Sequence, residues 1–326
     1  MRIGIYGYGN LGKACEEAIM LCPDMKLVAV FTRRDPKSIT LKTKTAKVLS
    51  SYDIISYRSS IDVIINCGGS ATDLPKSTAF LARHFNVVDC YDNHSNINEH
   101  FINVDASARQ SGNVALIASG CDPGLFSLMR LYFSAFLPKG NVSTFLGEGI
   151  SQGHSEAIRH IHGVKDARAY ILPDEKALEN IRNSRCGSVP NSEAHKIVCY
   201  VAAEENAYLN EIEEQIKNIP GYFLGYDTDV IFISEEELEN NHGQLYNGGS
   251  VISGGVTNAS GENSTVMEMK LKLDSCPEFT AGILVAYARA VFRAAKRSES
   301  GCKTIFDIAP ADLSPLTDYE LRSTLI

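Results

Sequence analysis

Arg2-Ile3-Gly4-Ile5-Tyr6-Gly7-Tyr8-Gly9-Asn10-Leu11-Gly12 decides how the rest of this chain is read. An apolar run, Arg2–Gly7, ends at the first glycine of a triplet, and helical apolar spacing over Leu11–Leu21 starts before the triplet is complete. In that setting the glycines serve a tight turn, a close approach of backbone to a pyrophosphate, and helix–strand packing. The free N–H groups of the helix start would face the phosphates. Glycines collect in turns for other reasons, so the triplet gains weight only from the pattern of the next hundred residues. Leu27–Thr32, Ile61–Cys67, Asn86–Cys90 and Asn113–Ser119 read as short, nearly continuous apolar strands, with helical spacing over Leu74–Phe85 and Ile97–Gln110. Strands buried on both faces and separated by helices predict an α/β fold, a Rossmann-type doubly wound parallel sheet over 1–120.

Past residue 120 the rhythm changes. Pro123–Phe136 reads as a helix, and Val142–Gly147, His195–Val201, Asp229–Ile233 and Thr265–Leu273 as longer strands, the last alternating partly, as a sheet with one wet face does. Glu204–Ile219 reads as a polar surface helix whose acidic run is a solvated face. Pro277–Lys296 reads as a long Ala-rich helix able to pack back on the first domain. The chain thus divides into 1–120 with 278–326, and a second, α+β domain over 121–277.

Composition removes several classes of function. The 326 residues carry 31 basic and 39 acidic side chains, a net charge of −8, with 44% hydrophobic and 21% charged residues. Those values fit an ordinary globular protein of about two domains. No basic stripe marks a nucleic-acid binder. No apolar run approaches the roughly 18 residues that span a bilayer, and the N-terminus lacks a signal-peptide layout. Nine scattered cysteines without a Cys-x-x-Cys pair predict neither a disulfide framework nor a metal site, and suit a reducing cytoplasm. Tryptophan is absent.

The end of the second strand selects the dinucleotide. An NAD site wants a carboxylate there for the ribose hydroxyls. This chain has Thr32-Arg33-Arg34, a hydroxyl and two guanidiniums suited to the 2′-phosphate of NADP, with a solvated basic turn as the alternative. Ligands of open α/β sheets bind beyond the carboxyl ends of the strands. The expected cofactor contacts are therefore Gly7, Tyr8, Gly9, Asn10, Leu11, Gly12, Thr32, Arg33, Arg34, Cys67, Gly68, Gly69, Ser70, Thr72, Cys90, Tyr91, Cys121 and Pro123. Cys67 and Cys121 read as packing residues, not nucleophiles. Two carboxylates, Asp92 and Asp122, leave neighbouring strands toward one crevice and suit a cationic amine. Asp122 before Pro123 also reads as a helix cap, and Asp92 before Asn93 as a turn residue.

The chain resembles the meso-diaminopimelate dehydrogenases. The likeness rests on Gly7–Gly12, Gly69-Ser70-Ala71-Thr72-Asp73, Tyr91-Asp92-Asn93-His94, Asp122-Pro123-Gly124, Ser151-Gln152-Gly153-His154-Ser155, Lys272-Leu273-Asp274 with Phe279-Thr280-Ala281, and Ile308-Ala309-Pro310 with Leu313-Ser314-Pro315. It runs from end to end. It implies a cytoplasmic homodimer of lysine and peptidoglycan-precursor metabolism, whose second domain binds substrate and dimerises. It also implies NADP-dependent oxidative deamination of the D-centre of meso-diaminopimelate to L-2-amino-6-oxopimelate and ammonia. By position, Asp92, Asp122 and His154 become the catalytic set. Gln152, Gly153, His154 and Ser155 become substrate contacts, with His154 either a proton relay or a polar histidine satisfied by its neighbours.

Five further substrate positions depart from the family. Leu146 replaces a Trp, Ile171 a Thr, Ile197 an Arg, Asn247 a His and Cys276 an Asn; Cys121 stands at a second Trp position. Losing a charge partner costs about 2–5 kcal/mol of affinity, and Lys196, Arg159 or Arg168 would have to replace it. On this reading Ile197→Arg improves binding of a dicarboxylate. Three functions stay open: the family reaction, the same chemistry on another amine or D-amino acid with an apolar far end, and a non-catalytic NADP-binding regulator.

Overall fold

The computed structural model describes residues 1–70, 72–137, 139–147, 149–183, 191–242 and 247–326, and these form two compact units, Met1–Leu128 with Pro277–Ile326, and Met129–Cys276. The first unit carries β1 (Arg2–Tyr6), β2 (Lys26–Thr32), β3 (Lys47–Ser50), β4 (Val63–Asn66), β5 (Asn86–Asp89) and β6 (Val114–Leu116), with an edge strand at Gly301–Lys303. All seven pair in parallel, in the order Gly301–Lys303, β6, β5, β4, β1, β2, β3. The reversal of order between β1 and β4 makes a switch point above their carboxyl ends.

Two apolar layers explain why these strands carry unbroken Val/Ile runs. On one face Ile3, Ile5, Val30, Val63, Ile65 and Val88 pack against helix Asn10–Met20 and the long helix Cys276–Lys296. On the other, Phe31, Ile64, Val87 and Ala115 pack against Leu74–Ala82 and Ile97–Ser111. The return of the C-terminal helix is fixed by Arg289, 5% exposed, whose guanidinium grips Asp24 at 2.7 and 3.1 Å and donates to the Leu313 carbonyl at 2.6 Å.

The second unit holds two sheets. One is β7 (Asn141–Leu146), β12 (Asn247–Val256) and β13 (Ser264–Leu273), all antiparallel, with β12 central. The other is β8 (Gly149–Ile150), β9 (Val164–Pro173), β10 (His195–Ala203) and β11 (Asp227–Phe232), antiparallel except for the β10–β11 pair. Its core is Ile158, Ala167, Ala169, Ile197, Cys199, Val201, Ile212, Ile216 and Phe223. The polar helix is shorter than expected, Leu209–Lys217, because residues 204–208 form the turn that leads into it. Among the described residues no helix is long and apolar enough to cross a membrane.

Candidate active site

The glycine turn is built by contact. A Cβ on Gly12 would lie 2.3 Å from the Gly7 carbonyl oxygen, so only glycine lets the helix start against the strand end. A Cβ on Gly9 would meet no protein atom, and that side of the turn is left open. Helix Asn10–Met20 has no side-chain cap and no acidic residue in its first turn. Its N–H groups are therefore left for an anion, as a pyrophosphate site requires.

The basic turn beyond β2 is organised as well. Thr32, 4% exposed, accepts the Arg34 N–H at 3.1 Å, and the Arg34 guanidinium reaches the Tyr8 carbonyl. Arg33 is exposed and forms a two-point pair with Asp73 at 2.8 and 2.8 Å. Both line a cavity of about 420 Å³ together with Gly7, Gly68, Thr72 and Lys76. Neither Asp73 nor Lys76 was among the expected contacts. Asp73 closes the Gly69–Asp73 motif and Lys76 lies one helical turn later, a spacing that could have flagged it. These cations and the open glycine turn fit NADP. Tyr8 contributes backbone only: its ring is buried in the core, its hydroxyl donates to buried Glu16, and burial with that carboxylate raises its pKa. Cys67 and Cys90 are also held as thiols, their pKa values raised by the Cys15 sulfur and by burial, respectively.

Asp92 and Asp122 lie on the loops that leave β5 and β6, strands paired in register. Asp92 is exposed, and its N–H donates to Ser70 Oγ at 2.9 Å, tying its loop to the Gly68–Asp73 loop. Ala71 lies outside the described residues. Asp122 is half-buried in a turn that requires Gly124, where a Cβ would sit 1.8 Å from the Gly120 carbonyl oxygen. The next helix runs Leu125–Phe136. The helix expected from Pro123 thus starts later, after the turn closed by the Leu125 N–H on the Gly120 carbonyl.

In the second unit His154 sits in the first turn of helix Gln152–Arg159. Its Nε2–H donates to the Tyr222 carbonyl at 3.0 Å, leaving Nδ1 to accept from Ser151 Oγ at 2.8 Å. Tyr222 and Phe223 rings enclose it edge-on. Burial lowers its pKa against the opposing pull of the Tyr222 carbonyl. As placed, both nitrogens are engaged. The unfolded state therefore binds more protons than the native one as pH falls through the ordinary histidine range, and stability should drop with acidification. His154→Gln should flatten that loss, read as a smaller fall in melting temperature between pH 7 and pH 5 than in the wild type; an equal fall would assign the loss to other groups.

Ser155 is fully buried, donating to the Ser151 carbonyl and accepting from Ala169 N–H, while Gly153 is exposed. Ile171 and Ile197 are register partners on β9 and β10, 5% and 0% exposed. Ile197 lies inside the apolar core, so the expectation that Ile197→Arg gains affinity is corrected. An unpaired guanidinium there should cost at least about 3 kcal/mol. That corresponds to roughly 6–12 °C in melting temperature, and an unchanged melt would refute the burial argument. The three cations offered as replacements are engaged: Lys196 with Asp227 and Asp229, Arg159 with Asp166 and Glu156, Arg168 with Asp166. Cys276 is half-buried at the start of the long helix. Leu146, Gln152 and Asn247 have their backbones in β7, helix Gln152–Arg159 and β12; their side chains fall outside the described residues. Gly147 and Gly248, next to two of them, line a cavity of about 630 Å³ that also touches Pro173, Arg182, Lys270 and Asp274. The sequence pattern gave no sign of this cavity, whose walls come from four strands and a helix. Among the described residues no three His, Cys, Asp or Glu side chains gather as metal ligands.

Residues 120–275 match the family model of the diaminopimelic acid dehydrogenase C-terminal domain. The chain is 48% identical to a meso-diaminopimelate D-dehydrogenase of Ureibacillus thermosphaericus over 326 residues, covering 100% of this chain and 99% of the relative. In structure it is similar to C. glutamicum diaminopimelate dehydrogenase in complex with diaminopimelate, at 40% identity and a TM-score of 0.94, covering 100% and 99% of the two chains. It is also similar to an engineered D-amino acid dehydrogenase bound to NADP+, at 40% identity and a TM-score of 0.89, with the same coverage.

Proposed function

The chain belongs to the diaminopimelate dehydrogenase family, and on that premise we propose that it is an NADP-dependent meso-diaminopimelate D-dehydrogenase. The observation that carries this reading is 48% identity along the whole chain to a relative of that name. Bound NADP supplies the hydride acceptor. The chain's own part is to hold the anionic dinucleotide on the uncapped helix start and on Arg33, Arg34 and Lys76. At the reacting end, Asp92 and Asp122 hold the substrate ammonium and take up the proton it must lose before hydride leaves the carbon. Water then adds to the imine, and the same carboxylates can return a proton to the departing ammonia. His154, with both nitrogens engaged, acts by orienting Ser151 and the helix start, and Gly153 and Ser155 complete that turn. The working form is a homodimer in the cytoplasm.

A second reading has one specific observation in its favour. The distal Thr and Arg of the family pattern are here the buried, apolar pair Ile171 and Ile197, and the neighbouring cations already carry carboxylate partners. With those cations engaged and no cation at the two substituted positions, a distal carboxylate has no partner there, which suits a D-amino acid with an apolar far end. NADP reduction by the purified protein against meso-diaminopimelate and a panel of D-amino acids separates the two. Turnover confined to meso-diaminopimelate removes the second reading, turnover confined to apolar D-amino acids removes the first, and no turnover with any amine removes both.

A further inference from the structure

Asp89 is the last residue of β5 and is completely buried. Its Oδ1 accepts the backbone N–H of Tyr91 at 3.1 Å and that of Ala118 at 3.1 Å. Its Oδ2 accepts from Thr78 Oγ1 at 2.7 Å and lies 2.8 Å from His100 Nε2. Its own carbonyl accepts from the Ser119 N–H and from Ser119 Oγ. One side chain therefore joins the loop that bears Asp92 to the loop that bears Asp122, beyond the point where the β5–β6 ladder ends at Val88 and Leu116. Thr78 in turn accepts from Asn66, whose Oδ1 accepts the Gly68 N–H, so the third loop is attached to the same buried spine.

Two details mark this as more than a filled core. Ala118 has φ +55°, a left-handed conformation that a residue with a Cβ adopts only when its surroundings impose it, and its N–H is the one Asp89 holds. His100, 4% exposed and stacked on Tyr91 at 4.2 Å, keeps Nδ1 without a partner among the described residues while Nε2 is held at Asp89.

We propose that Asp89 is a positioning residue that sets the separation of Asp92 and Asp122, an inference that rests on the assignment of those two carboxylates to the reacting amine. Asp89→Ala frees both loops and leaves two amides unanswered. Its kcat should fall by about 100-fold, the scale of an ångström of misplacement, with a change in NADP KM at least ten times smaller than that. Asp89→Asn keeps an oxygen for both amides and an NH2 that Thr78 and His100 can accept, so it should hold kcat within about fivefold of wild type. If Asp89→Ala does not fold, Thr78→Val, which deletes one anchor of Oδ2, should lower kcat by about fivefold. A folded Asp89→Ala, or failing it Thr78→Val, with wild-type kcat overturns the proposal, as does an Asp89→Asn protein as slow as Asp89→Ala. Amide hydrogen exchange separates this from failure of the proposed function. Even in a wild type that turns over no amine, exchange at Tyr91 and Ala118 should quicken at least about tenfold in Asp89→Ala, or in Thr78→Val should Asp89→Ala not fold, and unchanged exchange refutes the coupling.

Discussion

Replacing Arg33 and Arg34 together by alanine should raise the KM for NADP by about 10²–10³-fold while leaving kcat/KM for NAD unchanged or higher. Each charge-assisted contact to phosphate contributes about 1.5–3 kcal/mol, so two exceed any plausible change in turn stability. The structure adds a reason for the effect to be asymmetric. Arg33 neutralises Asp73 at 2.8 Å, and without it that carboxylate faces the 2′-phosphate unpaired. Toward NAD the same carboxylate can accept from ribose hydroxyls, the job an acidic residue does in NAD sites. The Arg33–Asp73 pair itself is exposed on the Arg33 side and adds little to folding, so melting temperature should stay within a few degrees. Steady-state kinetics with both dinucleotides check it; a variant that still prefers NADP as strongly as the wild type would return Arg33 and Arg34 to a solvated basic turn.

The elements legible in the sequence are those whose burial is continuous. β4 and β5 were legible because Val63-Ile64-Ile65 and Val87-Val88 are apolar without interruption, the pattern of strands covered on both faces. β3 and Gly301–Lys303 were not, because edge strands this short carry polar residues and take their order from their neighbours. β12 escaped because Asn247–Val256 is rich in glycine, and its place is set by Phe145, Ile252 and the helix beneath them instead of by strand propensity. Among site residues, the glycine turn and the basic pair were local and therefore visible. Asp89 was invisible for the opposite reason: its partners at 78, 91, 100 and 118 come together only when two helices meet the ends of β5 and β6. Ile197 shows the cost of reading one position by likeness. The resemblance implied a substrate contact at this position, and the side chain is packed in the core of the second sheet.

Asp122→Asn should lower kcat for amine oxidation by about 10³-fold, within the span that a positioned proton acceptor contributes, and Asp92→Asn by less, about 10–10²-fold. The order comes from solvation. Asp92 is exposed, where water screens its attraction for an ammonium, and part of its loss should appear as a higher substrate KM. Asp122 is half-buried beside the Gly120–Gly124 turn, where a charge acts through a lower effective dielectric and its removal is felt in the barrier. Asparagine keeps the volume and one acceptor oxygen, so the loops held by Asp89 and Ser70 need not move, and NADPH binding measured by fluorescence should match the wild type. A kcat within tenfold of wild type for Asp122→Asn, with cofactor binding intact, would shift the proton to another group. Since both nitrogens of His154 are already engaged, that group would most simply be water held by Asp92, and the double variant Asp92→Asn/Asp122→Asn would then lose far more than the product of the two single effects.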